Sequence, residues 1–161
     1  FAQNPQGVHM KSETEFFRAQ HLIVMDASGV LDLQRSIIAL ENLAADPQFD
    51  AGSECLLDLR DIKCSMSAMD IFSLAEVMAW PNSALPTHRK IAILVKGHDE
   101  FDHAQFLALC AGNRGVNIAA FDDYDAAGEW LLAMLPEDPK GGRTDPPSNG
   151  MPRDSRIRPG R

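Results

Sequence analysis

Apolar residues in this chain fall into short continuous runs that alternate with longer stretches in which they recur every three or four positions. The first two runs, TEFFR and HLIVMDA, flank Ala19-Gln20. Rich in aromatic and β-branched residues, they predict an antiparallel hairpin that Ser28-Gly29 ends. From Leu31 to Ala45 the period changes, with Leu33, Ile37, Leu40 and Ala44 on one side and Gln34, Arg35, Glu41 and Asn42 elsewhere. This is an amphipathic helix, which Asp46-Pro47 stops. Cys55 to Leu59 then has little polar alternation and predicts a central strand. A second helix is predicted over Ser65 to Trp80, ended by Pro81.

The pattern repeats. IAILV after Arg89-Lys90 is a third buried strand, and Gly97 separates it from a helix over Asp99 to Asn113 closed by Gly115 as a left-handed cap. Val116 to Phe121 is a fourth apolar strand. Asp123 to Leu135 is a last helix that turns Tyr124, Ala127, Trp130, Leu131 and Met134 inward. Strands apolar on both faces, joined by helices through short connections, predict an α/β fold. Its mixed, mainly parallel sheet has about five strands and about four helices, with the first hairpin strand antiparallel at an edge.

Composition sets the limits of that domain. At 161 residues the chain holds one core without disulfides or metals. Residues 1–9, ending before Met10, are polar, carry Pro5 and Gly7, and are expected to be a cloning leader. Residues 10–135 form the domain. Residues 136–161 hold six of the ten prolines and almost no large apolar groups, which predicts a flexible tail. No run approaches the ~18 apolar residues of a membrane span, and no secretory signal pattern opens the chain, so a cytoplasmic protein is expected. Three widely spaced cysteines, Cys55, Cys64 and Cys110, form no CxxC pair and read as reduced thiols.

Charge removes one class of partner. Nine basic and nineteen acidic residues lie up to Leu135, six and four beyond it, so the body carries −10 and the tail +2. A body that acidic repels phosphate backbones, which excludes nucleic acid as its partner.

Candidate chemistry is sparse. In His98-Asp99-Glu100-Phe101-Asp102-His103 the histidines stand five apart, off one helical face and unlike the four-residue spacing of a zinc helix. Asp99 fits better as an N-cap, with Asp102 three residues on. Asp26, Asp58 and Asp122-Asp123 fall at or just after strand ends, where they precede or cap helices. The paired acids of a phosphoacceptor receiver are absent from the first strand, and Lys96 lacks the proline that follows the receiver lysine. No phosphate-cradling glycine loop, GxSxG or linked nucleophile and base occurs, so no catalytic residue, metal or cofactor is assigned. Cys64, beside Lys63 near a helix start, is either a thiol of lowered pKa or a half-buried structural residue.

The second helix stands out. Met66, Met69, Ile71, Phe72, Leu74, Val77, Met78 and Trp80 cover well over half its circumference. It is either buried on both sides or carries an outer face for a partner subunit or an apolar ligand, and methionine suits either.

The order of elements, with the segments CLLDLRDIKCSMSAMDI, RKIAILVKGHDEFDHAQFLALC and GVNIAAFDDYDAAGEWL, resembles the STAS fold of anti-sigma-factor antagonists. It is closer still to their bacterial SpoIIAA-like relatives, grouped with STAS/SEC14-like domains. The resemblance covers about residues 14–135. It implies a non-enzymatic regulatory or protein-interaction module acting on a protein partner or as a homodimer. The alternative it implies is a carrier or sensor of a small apolar or lipid-like ligand. In the antagonists a serine in the loop before the second helix is phosphorylated by a partner kinase. Ser67 stands at that position, without the acid before it or the glycine after it. The implied regulatory loop comprises Asp58, Asp61, Cys64, Ser65 and Ser67, and the candidate interface or ligand face Met66, Met69, Phe72, Met78 and Trp80.

Overall fold

The computed structural model describes residues 10–17, 22–49, 52–80 and 89–133. The expected leader, the hairpin turn at Ala19-Gln20, Met134 and the tail lie outside them. The hairpin forms as expected: β1 (Lys11–Phe17) runs antiparallel to β2 (Leu22–Leu31), with Phe17 opposite Leu22 and Lys11 opposite Ser28. Ser28-Gly29 does not end β2, however. The register against the next strand shifts between Asp26 and Ser28, Gly29 takes a φ of 107°, and the strand continues to Leu31. Such an irregularity bends a strand without terminating it, and glycine supplies the left-handed backbone.

That continuation lengthens its neighbour. β3 spans Glu54–Cys64, well beyond Leu59, because Asp61 to Cys64 pair with Ser28 to Leu31. Arg60, Asp61 and Lys63 are exposed while Ile62 is buried, the alternation of a half-buried strand. Asp58, Asp61 and Cys64, expected in a loop, are therefore strand residues. Ser65 and Ser67 alone of that group lie in the connection to the following helix.

The helices begin where short polar side chains can hold free N–H groups. α1 (Leu33–Ala45) starts at Asp32, whose Oδ1 accepts from Arg35 N–H at 2.8 Å. α2 (Ala68–Ala79) starts at Ser67, later than the expected Ser65. β4 (Ile91–Leu94) leads to α3 (His98–Gly112), and β5 (Ile118–Phe121) to α4 (Tyr124–Leu132), capped by Asp123 Oδ1 on Ala126 N–H at 2.7 Å. Asp99 is not the cap of α3. Gly97 holds that position at φ 102° with no side-chain hydrogen bond, and Asp99 and Glu100 sit in the first turn, where acids favour the helix dipole. Gly115, at φ 89°, turns the chain so that Val116 N–H returns to the Ala111 carbonyl, the expected left-handed end.

The sheet order is β1-β2-β3-β4-β5, with every pair after the hairpin parallel. Three crossovers of one hand that advance the sheet in one direction put α1, α2 and α3 on the same face. There Ile23, Met25, Cys55 and Ile91 pack against Leu43, Ile71, Leu74, Met78 and Ala111. α4 leads into no further described strand and covers the opposite face, where Leu56, Ala92 and Leu94 meet Ala127 and Leu131. Trp130 packs beside them, its ring 5.5 Å from that of Phe121. Tyr124, expected inward, is 53% exposed and lies under the Arg60 guanidinium instead. Lys90, buried just before β4, donates from Nζ to the Trp130 carbonyl at 2.7 Å and to the Ala133 carbonyl, and ties off the end of α4.

Candidate functional site

α2 is the element on which most of the expected site lies, and the helix is two-sided. Ile71, Leu74, Ala75 and Met78 are buried at helical spacing against the sheet and α3, while Met69 and the capping Trp80 are 72% and 66% exposed and Phe72 38%. Burial on both sides is thereby excluded. The candidate face divides accordingly: Met66 and Met78 point inward, Met69, Phe72 and Trp80 outward. The outer flank is partly dressed by Arg114, whose guanidinium stacks 4.4 Å from the Phe72 ring centre and lies 3.8 Å from Glu76.

The helix start is firmly closed. Ser67 Oγ accepts from Asp70 N–H at 3.2 Å and donates to Asp70 Oδ2 at 2.8 Å, while Ser67 N–H donates to the same carboxylate at 2.9 Å. This is a reciprocal capping box, and its hydrogen bonds hold the Asp70 carboxyl below its ordinary range. A phosphate on Ser67 would displace that carboxylate by like-charge repulsion. Ser65 lies nearer the sheet, with Oγ donating to the Leu31 carbonyl at 3.2 Å.

Behind α2 lies a partly open apolar cavity of about 100 Å³, lined by the first sheet face and by α1, α2 and α3. Met25, Leu57 and Ile93 form its floor, Ile71, Leu74 and Met78 its α2 wall, and Met66, just before the helix, adds to that side. Leu40 and Leu107 close it from the neighbouring helices. Its polar lining comes from few groups: Ser36, Cys64, Glu100 and His103. Ser36 is already engaged, donating to the Asp32 carbonyl at 2.8 Å with Met66 Sδ 3.8 Å away. Cys64 is a half-buried structural thiol, not an activated one. Desolvation pushes its pKa up, Met66 N–H offsets part of the rise, and the Glu100 and Asp70 carboxylates add a little to it.

Asp58 and Asp61 are not part of this cavity. Asp58 projects to the opposite face, where Arg60 Nη2 approaches Oδ2 at 2.6 Å and Arg60 Nε donates to Oδ1 at 2.9 Å. These bonds hold its carboxyl below the usual range despite partial burial. The Asp58 side chain therefore answers to an arginine two residues away and caps no helix. His98 and Asp102 approach at 3.7 Å on the outside of α3, and no cluster of metal-binding side chains occurs among the described residues. Sequence reasoning missed Glu100 and His103 as cavity residues. Their separation of three on one helix face was the available signal, obscured by their place in a first turn rich in acids.

No known family profile matches the chain. No curated protein matches it either. Among solved structures it is similar to an uncharacterized protein of the DUF3478 family with a SpoIIAA-like fold from Shewanella loihica PV-4, at 16% identity and a TM-score of 0.49 over 80% of this chain and 98% of that one. It is also similar to an anti-sigma factor antagonist from Mycobacterium paratuberculosis, at 10% identity and a TM-score of 0.43 over 78% of this chain and 96% of that one.

Proposed function

We propose that this domain is a non-enzymatic binding module that takes up a small apolar or lipid-like ligand between its sheet and α1–α3. The cavity carries this reading. Protein interiors are close-packed, so an apolar space of about 100 Å³ lined by four methionines, Met10, Met25, Met66 and Met78, departs from ordinary packing. Apolar cavities of roughly 150 Å³ accept benzene-sized molecules, and methionine walls adjust to a larger guest.

A second reading, interaction with a protein partner or a second copy in a regulatory role, is favoured by the exposure of Met69, Phe72 and Trp80 on the outer side of the same helix. The two are compatible, since a ligand pressing on the inner side of α2 would shift its outer side. Native mass spectrometry of the purified protein tests both. A bound small molecule that Ala104→Leu, aimed into the cavity, removes supports uptake; no ligand mass in either protein, with no binding of added alkanes, counts against it. Met69→Asp leaving every association intact would sink the outer-face reading.

A further inference from the structure

The two edges of the sheet are built differently. β1 carries Lys11, Glu13 and Glu15 along an exposed strand, the charged kind of edge that keeps other chains away. β5, at the other edge, reads Ile118-Ala119-Ala120-Phe121, with no charge in the strand and β4 as its one neighbour among the described residues. The Asn117 and Phe121 carbonyls accept from Ile91 and Val95 N–H of β4. By the alternation of a strand, Ile118 and Ala120 therefore turn their N–H and C=O groups away from β4, toward the free edge. Beside that row α3 overhangs an open groove, lined by Gln105, Phe106 and Leu109 on the helix and Ile118 and Ala120 on the strand. Phe106 and Leu109 are 37% and 61% exposed.

We propose that this edge is a dimerisation surface, on which β5 pairs antiparallel with β5 of a second copy and joins the two sheets into one. A two-fold axis beside Ala119 sets Ile118 of each copy opposite Ala120 of the other, each such pair exchanging both of its backbone hydrogen bonds. The small Ala119 side chains meet at the axis. α3 rests over β4 and β5, where Phe101 and Ala104 pack with Ile93, Val95 and Ala120. With strands roughly 4.8 Å apart, the two α3 helices come to lie about 10 Å from each other, the ordinary distance of packed helices, and Phe106 and Leu109 fill the space between them. Charge sets the direction. Asp102, in the opening turns of α3, and Asp122 stand toward the C-terminal end of β5, Arg114 before its N-terminal end, and Arg89 before the adjacent start of β4. Antiparallel pairing lays the acidic end of each copy beside the basic end of the other, whereas parallel pairing would set like ends together. The groove shares no residue with the cavity lining or with Met69, Phe72 and Trp80, so this surface is independent of both readings above.

The test is sedimentation of the full chain from micromolar to millimolar concentration, with amide hydrogen exchange followed by NMR on the same samples. A monomer–dimer equilibrium is expected, and the Ile118 and Ala120 amides should exchange about tenfold more slowly where the dimer dominates than where the monomer does. Leu109→Asp, at an exposed position, should weaken dimerisation about tenfold or more, and Ala120→Pro, which removes an outward N–H, should abolish it. Met69→Asp should leave the dimer intact. If Ala120→Pro does not fold, the exchange rates and Leu109→Asp still decide. A monomer at every concentration would overturn the proposal. So would a dimer whose Ile118 and Ala120 amides exchange as in the monomer, or one that Met69→Asp dissociates and Leu109→Asp does not. Slow exchange of both amides in a monomer would give the edge to another segment of the same chain and overturn it equally.

Discussion

The two faces of the sheet are packed by different means. Under α4, β4 presents Ala92 and Leu94, both fully buried, to Ala127 and Leu131, and small residues bring the helix close to the strands. Under α1–α3 the contacts are made by Met25, Met66 and Met78 together with Ile71 and Leu74, and the cavity lies among them. One helix over one face finds its depth by sliding until side chains touch. Three helices tied to successive strands must share a single surface, and their spacing is set by the strands as much as by packing. The tight face therefore serves rigidity, and the loose face holds the volume that a guest can use.

Substitutions should separate the faces. Leu94→Ala is expected to cost about 3 kcal/mol in urea unfolding, the range for a fully buried leucine in a site that cannot collapse. Next, enlarging an alanine should have opposite signs on the two faces. Ala92→Leu, under α4, is expected to destabilise by about 2 kcal/mol through overpacking. Ala104→Leu, on the cavity wall, should stabilise by about 1 kcal/mol and abolish alkane uptake. Equal losses from both would mean that the faces are equally full.

Smaller effects refine the contrast. Ser67→Ala opens the capping box at the start of the cavity's α2 wall and should cost about 1 kcal/mol, with Ser67→Asn largely retaining the cap. On the opposite face, Asp58 contributes only while ionised. Arg60 holds its folded pKa below 3.8, so the contribution is complete above roughly pH 5 and is lost as acid protonates the carboxyl below that. Asp58→Asn should accordingly lower stability at pH 7 by up to about 1 kcal/mol, since Arg60 is half exposed, and by less at pH 3. Urea midpoints at both pH values would show it. Last, thiol labelling at pH 8 should spare Cys55, pushed by burial up to about 12, and modify Cys64 slowly, slower still with an alkane bound in the cavity.

Much of this architecture was legible in the chain. Helical spacing located α1 and α4, chain breakers bounded α2 and α3, and the apolar runs located each strand among the described residues, because such patterns reflect which side of an element meets the core. The second half of β3 escaped because Arg60, Asp61 and Lys63 look like a loop. Only the pairing of β2 beyond Gly29 makes them a strand, and that is a long-range fact. The methionines of α2 announced an unusual helix without saying that Met66 and Met78 face away from Met69 and Phe72. The cavity itself was illegible, since no local pattern records how far apart three helices settle. His103 was read beside His98 as a failed metal pair, whereas its side chain lies at the cavity.

The lysine at the foot of β4 has a mechanical meaning. Because Lys90 grips the carbonyls of Trp130 and Ala133, the last turn of α4 and the start of an inner strand move as one body. Force applied to the chain beyond Ala133 would pass directly into the sheet through an ammonium and two carbonyls, without first unwinding the helix. A probe or tether attached there would follow the position and orientation of the sheet itself.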